Sequence, residues 1–117
     1  MIRSLLPSGK CYGECPISTS DGVRLADAAW ISTKARLAEI GRNVCLTKAP
    51  EICIEILSPS NTQREMSEKK ALYFAAGAEE VWFCDAGGEM TFYVNAGSVG
   101  DKKSRLCPEF PGTVRLE

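Results

Sequence analysis

A glutamate interrupts the most apolar run of the chain, Ile52-Cys53-Ile54-Glu55-Ile56-Leu57. As a strand buried on both faces, the run sets Ile52, Ile54 and Ile56 on one side and Cys53, Glu55 and Leu57 on the other. An ionised carboxylate in such a place is costly unless a cation or several hydrogen bonds meet it. Asp27 repeats the anomaly in the extended stretch from Val23 to Ser32, where Val23, Leu25, Asp27, Ala29 and Ile31 alternate with Arg24, Ala26, Ala28 and Trp30. Adjacent lysines, Lys69 and Lys70, follow on a helical segment. Two carboxylates can hold Mg2+ together with waters and one backbone carbonyl. The ion lowers the pKa of a bound water and stabilises charge on a phosphoryl oxygen, and a lysine beside it can orient the attacking water. Metal-dependent phosphodiester hydrolysis is the chemistry of that kit. The other reading of Glu55 is a buried structural ion pair with Lys69, and Lys70 stands as an alternative inward lysine.

The elements that must position these groups follow from turn and cap signals. Asp21-Gly22 marks a hairpin between an extended Cys11 to Thr19 and the Asp27 stretch. Ser32 or Thr33 caps a short segment through Ala38, and Gly41-Arg42-Asn43 marks a turn. Lys48-Ala49-Pro50 leads into the Glu55 strand. Ser58-Pro59-Ser60 ends that strand, and Ser60 with Gln63 spells a capping box. A helix is expected to run from there to about Ala76, with Gly77 as its stop. Met66, Tyr73 and Ala76, with Leu72 beside them, form its apolar stripe. Val81 to Cys84 reads as a strand, Asp85-Ala86-Gly87-Gly88 as a turn, and Glu89 to Val94 as the antiparallel partner. The tail reads as loop, with a last strand at Thr113-Val114-Arg115-Leu116. Trp30 and Trp82 are expected in the core or an interface, and Tyr73 as a core aromatic with a hydrogen-bonded hydroxyl.

The 117 residues make one domain with one core. An apolar fraction of 44% and a charged fraction of 25% are those of a soluble globule, and a formal net charge of -1 offers no global attraction for nucleic acid. A local basic face can coexist with that balance; Lys102-Lys103 with Arg105 is a small candidate, though a solvated loop reads as well. No leader is visible, since Met1 to Pro7 is short and broken by proline, and no apolar run approaches the ~20 residues of a membrane span. The expected location is the cytoplasm. Six cysteines with no histidine and no Cys-x-x-Cys pair argue against a zinc site. A disulfide scaffold does not suit the cytoplasm, so Cys53 and Cys84 read as small core side chains. A thiol-linked role for Cys11 and Cys15 is a minor alternative.

Arg24-Leu25-Ala26-Asp27-Ala28-Ala29-Trp30, then Ile54-Glu55-Ile56-Leu57-Ser58-Pro59-Ser60, resembles the Uma2 family of restriction-endonuclease-type proteins, a branch of the PD-(D/E)XK nuclease superfamily. Glu68-Lys69-Lys70-Ala71-Leu72-Tyr73, Gly77, Glu80-Val81-Trp82 and Asp85 continue the likeness, which spans roughly Asp21 to Tyr93. The resemblance implies an α/β fold: a mixed central sheet with a helix packed after the Glu55 strand. It matches Asp27 to the aspartate of the first half-motif, with Ala26 where proline is usual, and Glu55 to the acid of the second. Leu57 stands where the motif's lysine is usual, and Lys69 on the following helix takes that place, with Tyr73 one turn on. The backbone carbonyl of Ile56 is implied as a third contact to Mg2+ or Mn2+. Glu14 is either a further acid near that metal or an exposed strand residue.

Relatives carry a longer N-terminal region, so the resemblance implies a shortened domain whose open face or edge a second copy covers, giving a homodimer. The expected function is Mg2+-dependent cleavage of DNA, with Asp27, Glu55 and Lys69 catalytic. The rival is a catalytically inactive nuclease-like domain kept as a dimerisation or nucleic-acid-binding module, since fold and function separate easily.

Overall fold

The computed structural model describes residues 10–31, 49–95, 97 and 100–114. Five strands form one mixed sheet in the order β1 (Lys10–Thr19), β2 (Gly22–Ile31), β3 (Ile52–Ile56), β4 (Glu80–Cys84) and β5 (Met90–Tyr93). Neighbours run antiparallel except β3 and β4, which are parallel because helix α1 (Gln63–Ala75) carries the chain back between them. The architecture is therefore α/β with the helix directly after the Glu55 strand.

The period-two alternation of β3 and β4 divides the core. Cys53, Val81 and Phe83 pack on the α1 side with Met66 and Tyr73 of the helix. Ile52, Trp82 and Cys84 pack on the other side with Trp30, Phe92 and Cys107, and Phe110 of the tail closes over them. The Trp82 ring lies 5.0 Å from Phe92 and 4.7 Å from Phe110, centroid to centroid. Both faces of these two strands are covered, which is why their sequences read as nearly unbroken apolar runs. Both tryptophans are buried, as are the free thiols of Cys53, Cys84 and Cys107.

Three details differ from the sequence reading. The capping box closes on Thr62 and Glu65 instead of Ser60 and Gln63: Thr62 Oγ1 accepts from Glu65 N (3.1 Å), and Glu65 Oε1 accepts from Thr62 N (3.0 Å). Two overlapping boxes are written there, and the charged Glu65 gains from the helix dipole where Gln63 would not. Ser58 and Ser60 belong instead to the preceding turn, where Ser58 N donates to Asn61 Oδ1 (2.8 Å). The alternation of β2 also fails across Asp27. Ala26 and Ala29 share the α1-side cluster, whereas Val23 and Leu25 are about half exposed. The cause is that β2 leaves β3 at this point: pairing stops at Ala28 opposite Ile54. The expected last strand shrinks to a single bridge from Thr113 to Glu89, with residues 115–117 outside the description. The expected cap at Ser32 or Thr33 and the turn at Gly41 also lie outside the described residues.

Turns fall where expected. Gly77 ends α1 with φ +112°, a conformation open to glycine, and Ala78 N donates back to Tyr73 O (3.0 Å). Asp85 Oδ1 accepts from Gly87 N and Glu89 N (2.9 Å each), so this aspartate shapes the β4–β5 turn. Gly88, at φ +86°, lets the tail approach so closely that a Cβ there would collide with the Val114 carbonyl.

A second buried acid anchors that tail. Glu80 Oε1 accepts from Trp82 Nε1 (2.8 Å) and Ser104 Oγ (2.6 Å), and its Oε2 accepts from Leu106 N (2.6 Å). Ser104 Oγ in turn accepts from Cys107 N (2.9 Å). Both carboxylate oxygens therefore face N–H groups that cannot reverse their polarity. In Glu80→Gln, either orientation of the amide sets an NH2 against a buried donor. We expect it to lower unfolding stability by roughly 1–3 kcal/mol, read as a shift in the urea midpoint of tryptophan fluorescence; an unchanged midpoint would mean that the network does not hold the tail.

Candidate active site

Glu55 occupies the fourth position of β3 and is buried, with 3% of its side chain exposed. Its Oε1 meets two donors from α1: Lys69 Nζ at 2.7 Å and the Tyr73 hydroxyl at 2.6 Å. Lys69 and Tyr73 are four residues apart, one above the other on the helix face turned to the sheet. The helix can make both contacts because its cap starts it at Gln63, directly after the turn that leaves β3. Lys70 turns the other way, its Nζ 3.9 Å from the centre of the Tyr93 ring. Of the two lysines, Lys69 is the one that reaches the acid.

Asp27 stands one register step beyond the last β2–β3 pair, at the position opposite Glu55. The next ladder donor on β3 would be the amide of Ile56. That amide donates instead to Asp27 Oδ2 at 2.7 Å. The aspartate thus closes the ladder where the strands part, at the register position opposite Glu55, where its carboxyl raises the Glu55 pKa. The structure thereby brings together Asp27, Glu55, Lys69, Tyr73 and the Ile56 backbone. Glu14 lies at the β1 register position opposite Asp27, between the pairs Gly13–Ala28 and Cys15–Ala26.

Two tendencies compete at Glu55. Burial raises its pKa, while the Lys69 and Tyr73 contacts lower it; the neighbouring Asp27 carboxyl raises it further. Burial wins, and the group is pushed up to about 7. Burial and the Glu55 carboxylate also push the Tyr73 hydroxyl well above its ordinary range, so it stays a donor.

The donor set fits a hard divalent cation that keeps part of its water. Two carboxyls meet, and one oxygen of each is already engaged, Oε1 by Lys69 and Tyr73 and Oδ2 by Ile56 N. The second oxygen of each meets no other donor among the described residues. No group of three or more His, Cys, Asp or Glu side chains gathers among those residues, and the chain has no histidine. One or two carboxylates plus waters is what Mg2+ accepts.

The family described as "Putative restriction endonuclease", Uma2, matches residues 3–108. The chain belongs to the Uma2 family. Its fold is similar to that of a solved structure from Anabaena variabilis, described as a putative nuclease belonging to DUF820: TM-score 0.66, 19% identity, 86% of this chain covered. The chain spans 59% of the length of that relative. A comparison with curated proteins finds no match. The chain shares the fold of that structure, and its Asp27 and Glu55 lie where β2 and β3 diverge. No helix among the described residues is long and apolar enough to cross a membrane.

Sequence reasoning missed how Asp27 is held. Nothing in the residue types says that its carboxylate replaces a ladder partner of Ile56, because that depends on where the hairpin peels away. It also passed over Glu80, although the signal was the one that exposed Glu55: an acid in a strand buried on both faces.

The raised pKa of Glu55 has a stability consequence in this Uma2 domain. The folded state binds the Glu55 proton more tightly than the unfolded chain, whose carboxyl titrates near 4.5. Stability associated with this group is therefore fully present below about 4.5 and falls as pH rises toward about 7, then levels off. The shift corresponds to roughly 3 kcal/mol at most. With divalent ions chelated, urea unfolding of wild type between pH 4.5 and 8 should show this decline relative to Glu55→Gln; parallel curves for the two proteins would contradict it.

Proposed function

We propose that this chain is a metal-dependent endonuclease that hydrolyses phosphodiester bonds of DNA at Asp27, Glu55 and Lys69. The observation that carries the reading is the meeting of the Asp27 and Glu55 carboxyls, with Lys69 2.7 Å from Glu55, in a member of a restriction-endonuclease family. Asp27, Glu55 and the Ile56 carbonyl would hold Mg2+, or Mn2+ in its place. When bound, the ion supplies Lewis-acid polarisation of the phosphate and a more acidic water. Tyr73 fixes one oxygen of Glu55 and so leaves the other for the cation. Asp27 is held by the Ile56 amide, which orients it without using its second oxygen. The Lys69 ammonium sits beside the carboxylate pair, where it can hold the nucleophilic water or a non-bridging phosphate oxygen as charge develops.

A second reading has an observation of its own. Lys69 and Tyr73 both spend their hydrogen bonds on one Glu55 oxygen, as a structural ion pair would. The domain would then be an inactive nuclease-like module that binds nucleic acid or a second copy of itself. The two readings diverge on metal linkage. Under the catalytic reading, Mg2+ raises the melting temperature of wild type and supports nicking of supercoiled plasmid. Glu55→Ala and Asp27→Ala should abolish both effects. Lys69→Ala should keep the Mg2+-linked rise but lose about 10²-fold or more in rate. Wild-type protein with neither a Mg2+-linked rise nor nicking would favour the module, and loss of rate in Lys70→Ala with Lys69→Ala unaffected would reassign the lysine.

The proposed assembly is a homodimer. Supporting it, Val23 and Leu25 on the hairpin and Ile56 at the end of β3 are 50%, 55% and 50% exposed. The proposed compartment is the cytoplasm, where the buried thiols stay reduced. Light scattering at micromolar concentration should give twice the chain mass; a monomer mass would remove the dimer from the proposal.

A further inference from the structure

Helix α1 separates two different surroundings for its adjacent lysines. On the Lys70 flank of the helix, a cleft of about 440 Å³ opens between the helix and the ends of β4 and β5. Its floor is apolar: Leu57, Met66 and Phe83. Phe83 is the β4 partner of Glu55 in the parallel register, and Leu57 follows Glu55 by two residues. The cleft therefore begins within ~7 Å of chain from the acid. Its wall is polar. Gln63, Ser67 and Lys70 line it at i, i+4 and i+7, one stripe of α1.

Lys70 is the informative group. It is half-buried, and burial lowers the pKa of its ammonium. Among the described residues no carboxylate pairs with it, unlike Lys69. Its recorded neighbour is the face of Tyr93, which holds the charge at the rim of the cleft. A partly desolvated cation over an apolar floor, with an amide and a hydroxyl in line beside it, matches a ligand with a flat apolar body, a polar edge and an anion. A nucleotide has those three parts.

We propose that this cleft is a nucleotide subsite: an unstacked base of a DNA strand lies against Leu57, Met66 and Phe83, Gln63 and Ser67 meet its polar edge or sugar, and Lys70 meets the adjoining phosphate. The proposal rests on the phosphodiesterase reading for its biological sense, since the cleft adjoins the acidic pair. It gives that reading a substrate form: DNA that offers an unstacked nucleotide, single-stranded or locally opened, in preference to an intact duplex.

The test is separable from catalysis. Fluorescence anisotropy of a labelled short oligothymidylate, in EDTA and low salt, measures binding with no cleavage possible. Wild type should bind the single strand more tightly than the same sequence as duplex, and thymidine monophosphate should compete. Lys70→Ala and Ser67→Trp, which removes the cation or fills the cleft from an exposed helix position, should each weaken binding roughly tenfold while keeping the wild-type melting temperature. Glu55→Ala should still bind. If wild type does not bind the strand, or if both well-folded variants bind it as wild type does, the subsite is overturned. If the variants lose binding but wild type never nicks plasmid with Mg2+, the subsite stands and the hydrolytic reading falls.

Discussion

The buried carboxylate of Glu55 organises the region around it. It lies at the end of the central parallel strand: α1 meets the cost of burying it with an ammonium and a phenol, while β2 adds to that cost with a second carboxyl. The first two favour the ionised form, and the third opposes it. Burial outweighs them all, and the group is pushed up to about 7. Asp27 makes the charged state of Glu55 harder to hold, while it serves the backbone by accepting from the Ile56 amide. Under the proposed metal-dependent reading, a cation between the carboxyls would offset that opposition by taking both as ligands.

The same constraint explains why the sheet opens where it does. If β2 stayed on β3 beyond Ala28, the Ile56 amide would find a backbone carbonyl and Asp27 would have no anchor. The hairpin departs instead, and the side chain of Asp27 takes over the orphaned donor, at 2.7 Å. One departure thus satisfies the backbone, fixes the aspartate and exposes the end of the strand to solvent. The half-exposed Ile56, Val23 and Leu25 are the apolar cost of that opening.

Much of this was legible in the residues, and the limits are physical. β3 and β4 could be read because burial on both faces leaves a period-two pattern with few polar interruptions, and the interruption at Glu55 was itself the site signal. The hairpin and the helix stop could be read because Gly22 and Gly77 occupy positive-φ positions that other residues avoid. The capping residue could not, because Ser60 and Thr62 each begin a plausible box and only the turn hydrogen bonds of Ser58 and Asn61 decide between them. The face pattern of β2 assumed a regular strand and failed at the residue where regularity ends. Glu80 carried the same buried-acid signal, but its role could not be read because two of its three partners, Ser104 and Leu106, are 24 and 26 residues away, and no local pattern announces a loop that folds back onto a carboxylate.

The two lysines show how the last step of positioning is made. Successive helix residues are turned by about 100°, so Lys69 and Lys70 cannot both face the same strand. Tyr73 settles which one reaches β3: its ring is buried against the sheet, and the residue one turn earlier must lie on that side. Lys69 is that residue. Lys70 is left over the β5 side, where Tyr93 provides a ring and no acid. The chain therefore holds two neighbouring cations in opposite electrostatic settings, one neutralised by a carboxylate and one open to an anion from outside. Exchanging Glu55 for a neutral residue would free the first without supplying the second. The asymmetry between the two flanks of α1 is thus built into the helix register, which sets one lysine on the acid and the other on the rim of the adjoining cleft.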